Sequence, residues 1–117
     1  MERLPRGELA VVPERKITAY LLASEHRRGG SKARFLLRFG FRPEAWREVE
    51  AALPRHAIEG TVVGQQPGIH GVTYAVEGLL HTPDGRDPSF RTVWIVEWAQ
   101  QIPRLVTAYP PTSGGGR

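Results

Sequence analysis

Residues 72–98 read VTYAVEGLLHTPDGRDPSFRTVWIVEW, and the fold turns on this stretch. Val72, Tyr74 and Val76 alternate with Thr73, Ala75 and Glu77, the period of two expected of a half-buried strand. Thr82-Pro83-Asp84-Gly85-Arg86 has the chemistry of a turn, because Pro presets one backbone angle and Asp and Gly tolerate tight conformations. Phe90 to Trp98 follows as the most apolar run of the chain and reads as an interior strand. Two strands joined by so short a turn form an antiparallel hairpin.

Working outward, a second turn around Gln100 to Pro103 leads to a last strand, Leu105 to Tyr109, stopped by Pro110-Pro111. Upstream, Val62 and Val63 beyond Gly60 predict a short strand. Before Gly60 the period is helical. Ile17, Tyr20 and Leu21 fall on one side of a helix over Lys16 to Leu22, and Ser31 suits the N-cap of a second over Lys32 to Arg38 that Gly40 closes. Pro43 opens a third whose apolar stripe is Ala45, Trp46, Val49, Ala52 and Leu53, with Pro54 near its end. Residues 1–13 read as an irregular lead-in with a short strand at Leu9 to Val12, and residues 111–117 as a flexible tail. The order of elements predicts one α+β domain over residues 14–110: helices packed on one face of a four-stranded antiparallel sheet, with the other face open.

The length of 117 residues suits one core but not two. The sequence has no cysteine, which excludes disulfides, thiolate chemistry and cysteine-ligated metals and fits a reducing cytoplasm. No apolar run approaches the roughly 20 residues of a membrane span, and no signal-peptide core precedes the domain, so the expectation is a cytoplasmic protein without a membrane partner. The net charge is +4. Between Arg15 and Arg47 nine basic residues face only Glu25 and Glu44, so the positive charge gathers in the helical half and an anionic partner is expected.

Within that half, His26-Arg27-Arg28-Gly29-Gly30-Ser31-Lys32 joins an imidazole, a glycine pair, a helix N-terminus and a lysine, parts that suit a phosphate. It lacks the P-loop spacing, and the same residues also read as a glycine turn on a solvated basic surface. Histidine is the side chain whose ordinary charge change falls near neutral pH, so His26 suits general acid or base work. His56, His70 and His81 have no metal-ligand spacing, and His70 and His81 read as flanking one strand, so neither metal nor other cofactor is expected. In the last strands Arg91, Thr92, Thr107 and Tyr109 are polar, and Thr107 and Tyr109 share a face. They either line the open face and bond a phosphate or simply fit a pleated surface. Trp46, Trp94 and Trp98 read as packing rather than as a base-stacking platform.

The segments Lys16-Ile17-Thr18-Ala19-Tyr20-Leu21-Leu22, His26, Gly29 to Phe35, Phe39-Gly40-Phe41, Tyr74 to Gly78, Thr82 to Arg86, Arg91 to Trp94 and Arg104 to Pro110 together resemble a bacterial family known only as a domain of unknown function. That family is similar in layout to the barnase, EndoU, colicin and RelE group of metal-independent ribonuclease toxins. The resemblance implies RNA as substrate and a cognate antitoxin or immunity protein as partner. Carried over by residue, it implies His26 as acid or base and Lys32 or Arg91 on the phosphorane. Thr107 and Tyr109 would then position the phosphate, with Thr92 as a helper and Arg27, Arg28 and Arg34 holding the substrate. The alternative is a non-catalytic basic module that binds RNA or an acidic protein.

Overall fold

The structure, a computed structural model, describes residues 2–17 and 30–111, with the backbone alone at 30–32. Among the described residues three helices, α1 (Glu14–Lys16), α2 (Gly30–Arg38) and α3 (Trp46–Glu59), precede four strands, β1 (Thr61–Pro67), β2 (Gly71–Leu79), β3 (Ser89–Glu97) and β4 (Pro103–Tyr109). The strands pair in chain order, β1-β2-β3-β4, and every pairing is antiparallel. The expected helices-then-meander architecture is therefore the observed one, and Phe90 lies on an interior strand as its apolar run predicts.

α2 stops because Gly40, at φ 104, takes a left-handed conformation that lets the Gly40 and Phe41 amides reach back to the Leu37 and Leu36 carbonyls. A short 3-10 turn, Pro43–Ala45, then feeds α3. α3 does not end near Pro54, as its sequence suggests, but continues to Glu59. Proline lacks one backbone donor, and burial decides against that loss: Val49, Leu53 and Ala57 are all buried at helical spacing, with His56 beside them. Fully burying a valine or leucine side chain stabilises by about 1.5–3 kcal/mol, so Val49 and Leu53 together offset the roughly 3 kcal/mol of an interior proline.

This stripe rests on the inner face of the sheet, where Val76, Phe90, Trp94, Leu105 and Ala108 complete the core with Leu36, Phe41 and Leu80. The lead-in holds a 3-10 turn, Gly7–Leu9, and contributes to the core. Leu4 and Val12 are buried in the same core, and Val11 makes a single parallel bridge to Arg104 in place of the short strand expected there. α3 meets β2 at close quarters, since a Cβ on Gly60 would lie 2.7 Å from Val76 Cγ1 and 2.8 Å from the Glu77 carbonyl oxygen. Glycine is required for that approach. The expected helix over Lys16 to Leu22 is described only to Ile17, and its remainder, like the tail from residue 112, lies outside the described residues.

The opposite face of the sheet carries no helix among the described residues, and its side chains are half-buried rather than buried. β2 and β3 pair in uninterrupted register, with Val76 opposite Thr92 and Glu77 opposite Arg91. An irregularity between Val93 and Trp94 then shifts the β3–β4 register, so that Arg91 faces Tyr109 and Val93 faces Thr107.

Candidate functional site

Register alone puts Glu77, Arg91 and Tyr109 in one row across β2, β3 and β4 on the open face. The Arg91 guanidinium donates to Glu77 through Nε at 2.7 Å and through a second, shorter hydrogen bond, both on Oε2. Oε1 of the carboxylate takes no part in this pair. The hydrogen bonds that Arg91 donates to Glu77, then the side chain of Tyr109, hold the Arg91 pKa above its ordinary value, so the cation persists at every accessible pH. The two paired side chains are 32% and 31% exposed, a setting in which charge is screened less than at a free surface yet remains reachable. Thr107, opposite Val93, extends the row along β4. The arrangement sets a carboxylate, a fixed guanidinium and a phenol side by side, groups whose chemistry suits a proton acceptor, an anion ligand and a hydrogen-bonding hydroxyl.

Arg91 and Tyr109 stand opposite each other, Thr107 lies on the same face two residues along β4, and Thr92 does not join them. Thr92 alternates to the inner face, where it is fully buried and accepts a 2.7 Å hydrogen bond from Trp94 Nε1. Its hydroxyl lies 3.0 Å from His56 Nδ1, and His56 Nε2 lies 2.8 Å from the Phe90 carbonyl oxygen. These hydrogen bonds form one consistent chain: His56 Nε2–H donates to Phe90, Thr92 donates to Nδ1, and Trp94 donates to Thr92. Burial pushes the His56 pKa down and keeps the ring neutral, against smaller opposing effects of backbone hydrogen bonds and nearby carboxylates. Thr92 and His56 are core residues, so Thr92 cannot serve as the substrate helper expected of it.

His26, Arg27 and Arg28 lie outside the described residues; Lys32 stands in the first turn of α2, with its side chain outside them. Arg34 is exposed on α2, remote in sequence and element from the open-face row. Glu77 is not among the residues that polarity and motif single out in the sequence, although a signal for it exists. Glu77 and Arg91 are equidistant from Asp84 at the centre of the turn, and an in-register hairpin must set such positions opposite each other.

A second polar cluster forms where the β2–β3 loop meets α3. His81 Nε2 lies 2.9 Å from Glu59 Oε1, and its Nδ1 lies 3.1 Å from Asp87 Oδ2. Arg55 completes the set at 3.0 Å from Glu59. His70 and His81 do flank β2, as expected. The Asp87 carboxyl is held below its usual range first by the Thr82 backbone amide, with His81 contributing, and that of Glu59 first by Arg55 and then by His81. Beside the cluster a cleft of about 310 Å³ opens between Phe41, Ala52, Arg55, His81 and Pro83. No group of three or more histidine, aspartate or glutamate side chains among the described residues is placed to hold a metal ion. No described helix is long and apolar enough to cross a membrane.

Helices on one face of an open four-stranded meander, with a carboxylate–guanidinium–phenol row on the other, define an open-faced α+β domain. The chain belongs to the family described as a domain of unknown function, DUF6883, whose model matches residues 3–112. A chain of a solved contact-dependent growth inhibition toxin–immunity protein complex from Klebsiella pneumoniae 342 is similar, with a TM-score of 0.68 over 92% of this chain and 97% of that one. At 15% identity the likeness is one of fold. No curated protein matches the sequence.

Proposed function

We propose that this domain is a metal-independent endoribonuclease of toxin type, and the observation that carries the reading is the Glu77–Arg91–Tyr109 row on the open sheet face. Cleavage of an RNA phosphodiester without a metal needs a base for the 2′-hydroxyl, a cation for the phosphorane and an acid for the departing 5′-oxygen. Glu77 takes the 2′-hydroxyl proton as the O2′–P bond forms. Arg91, fixed by that same carboxylate, clamps the equatorial oxygens, and the P–O5′ bond breaks as His26 delivers a proton to O5′. The products are a 2′,3′-cyclic phosphate and a free 5′-hydroxyl. Tyr109 and Thr107 position the phosphate, and Lys32 adds charge from the start of α2.

The basic helical half supports an RNA substrate, and the likeness in fold to a chain of a toxin–immunity complex supports the toxin reading. A toxin of this kind requires a cognate immunity or antitoxin protein in the cell that makes it, and its RNA substrate places its action in the cytoplasm.

The test is incubation of purified protein with total RNA in EDTA, beside Glu77→Gln and Arg91→Ala variants. Fragments ending in cyclic phosphates, reduced at least a hundredfold in both variants, are expected from the roughly 10²–10³-fold value of a positioned base or charge clamp. Intact RNA that the folded protein nevertheless retains on a filter would replace the enzyme with a non-catalytic binding module.

A further inference from the structure

Two groups of arginine differ in what they face. Arg55, Arg86, Arg91 and Arg104 each pair with a carboxylate, at Glu59, Asp84, Glu77 and Glu97 respectively. Arg34, Arg38 and Arg42 are exposed and have no carboxylate partner among the described residues. Two of them lie on α2 and the third just beyond its C-terminal end. Arg34 and Arg38 are one turn apart on α2, and Arg42 folds back on the helix end, where one of its terminal nitrogens donates to the Leu37 and Phe41 carbonyls, each at 3.1 Å.

Arg86 arrives at the same helix end from the β2–β3 loop. It donates to the Arg38 carbonyl at 2.7 Å, pairs with Asp84 at 2.7 Å, and lies 4.3 Å above the ring of Phe39. Phe39 in turn packs on Phe35, which stacks against Phe90 in the sheet. Capping of the last helical carbonyls accounts for Arg42 and Arg86. It does not account for Arg34 and Arg38, whose like charges stand one turn apart, a spacing that costs stability unless an anion covers it. Arg42 uses one nitrogen for its caps and has its remaining N–H donors for a ligand. Two of the four guanidinium groups are therefore held in place before any ligand arrives, which lowers the ordering cost of binding.

We infer that Arg34, Arg38 and Arg42, with Arg86 bracing the helix end beside its Asp84 partner, form a second phosphate-backbone site on the helical side of the domain, which holds RNA at a distance from the open-face row. The inference rests on the proposed ribonuclease activity for its choice of polyanion. Phe35 of α2 stacks on Phe90 of the inner face, so α2 covers the side of the sheet opposite Glu77 and Arg91. An RNA that touches both must pass around the sheet, so the substrate class is a folded or extended RNA rather than a short oligonucleotide. Fixed guanidinium groups suit phosphate by bidentate donation, and phosphate binding of this kind is indifferent to base sequence.

The test measures binding of a labelled RNA hairpin with single-stranded flanks to the full chain carrying Glu77→Gln, across a range of salt concentrations. Adding Arg34→Gln, Arg38→Gln and Arg42→Gln should weaken binding by about tenfold to a hundredfold and flatten the slope of log affinity on log salt by roughly 2, at about 0.7 for each phosphate no longer neutralised. The triple lysine variant should retain most of the slope. Because Arg42 also caps α2, the Arg34→Gln/Arg38→Gln pair alone, at two exposed positions, should show about two-thirds of the change in slope with no loss of melting temperature. Equal affinity and slope in all variants, while the wild type still cuts RNA, would overturn this site and leave the ribonuclease reading standing. A wild type that neither binds nor cuts RNA would remove both. Selective loss of binding to polyglutamate, with RNA binding intact, would reassign the patch to an acidic protein.

Discussion

Replacing His56 with alanine tests the energetics of the core and the direction of its pH dependence together. The ring is fully buried, donates from Nε2 to the Phe90 carbonyl and accepts at Nδ1 from Thr92, whose oxygen also takes the Trp94 indole N–H. Alanine leaves a buried carbonyl without its donor, at about 1–3 kcal/mol. It also empties the space that packs edge-on against Phe90 at a centroid distance of 6.1 Å. With the cavity included, a loss of about 3–5 kcal/mol is expected, a large share of a typical domain stability of about 5–15 kcal/mol. Urea unfolding followed by the fluorescence of buried Trp94 measures it.

The pH dependence has a definite sign. Burial lowers the His56 pKa below its ordinary 6.5, so the unfolded chain binds the proton more readily. Stability carried by neutral His56 is complete above about pH 6.5 and falls on acidification below it, with a slope of at most about 1.4 kcal/mol per pH unit for one proton. The slope ends below the depressed folded value. The His56→Ala variant should lose this component in the window just below about pH 6.5. A loss below about 1 kcal/mol, or an unchanged slope in that window, would refute the account of His56 as a neutral, doubly bonded core residue.

Thr92→Val removes the hydroxyl that links Trp94 to His56, and should cost about 1–3 kcal/mol. A double-mutant cycle with His56→Ala should give a coupling of at least about 0.5 kcal/mol, and additivity would deny the network. Gly60→Ala drives a methyl group into Val76 and the Glu77 carbonyl, and should destabilise by about 1–3 kcal/mol, read as a lower urea midpoint at constant slope. Asp87→Asn removes the charge that His81 shares, and because the Asp87 pKa is lowered in the fold its stabilising share is present above the ordinary carboxylate range and lost as pH falls through it. The variant should therefore flatten the stability profile below about pH 4 and leave the His56 window intact, a separation that pH-dependent unfolding can check.

The meander, the open face and the basic helical half were legible in the sequence because each depends on neighbours along the chain. Alternation over 72–76, the Pro83-Asp84-Gly85 turn and the Gly40 stop are local steric matters, and the structure keeps them all. Placement of Thr107 and Tyr109 on one face followed from the pleat alone. Tertiary structure decided the rest. Pro54 sits inside α3 because Leu53, His56 and Ala57 bury against the sheet, a gain that no local propensity contains. Thr92 and His56 belong to the core because α3 crosses β3 where their polar atoms meet, 36 residues apart in sequence. Arg91 gains its partner Glu77 only through the in-register hairpin, and Arg42 and Arg86 converge on one helix end only when the β2–β3 loop folds against α2. Polarity and periodicity state which residues seek water and which repeat a face; which polar groups become partners is set by how distant segments pack, and that is where the chemistry of this domain resides.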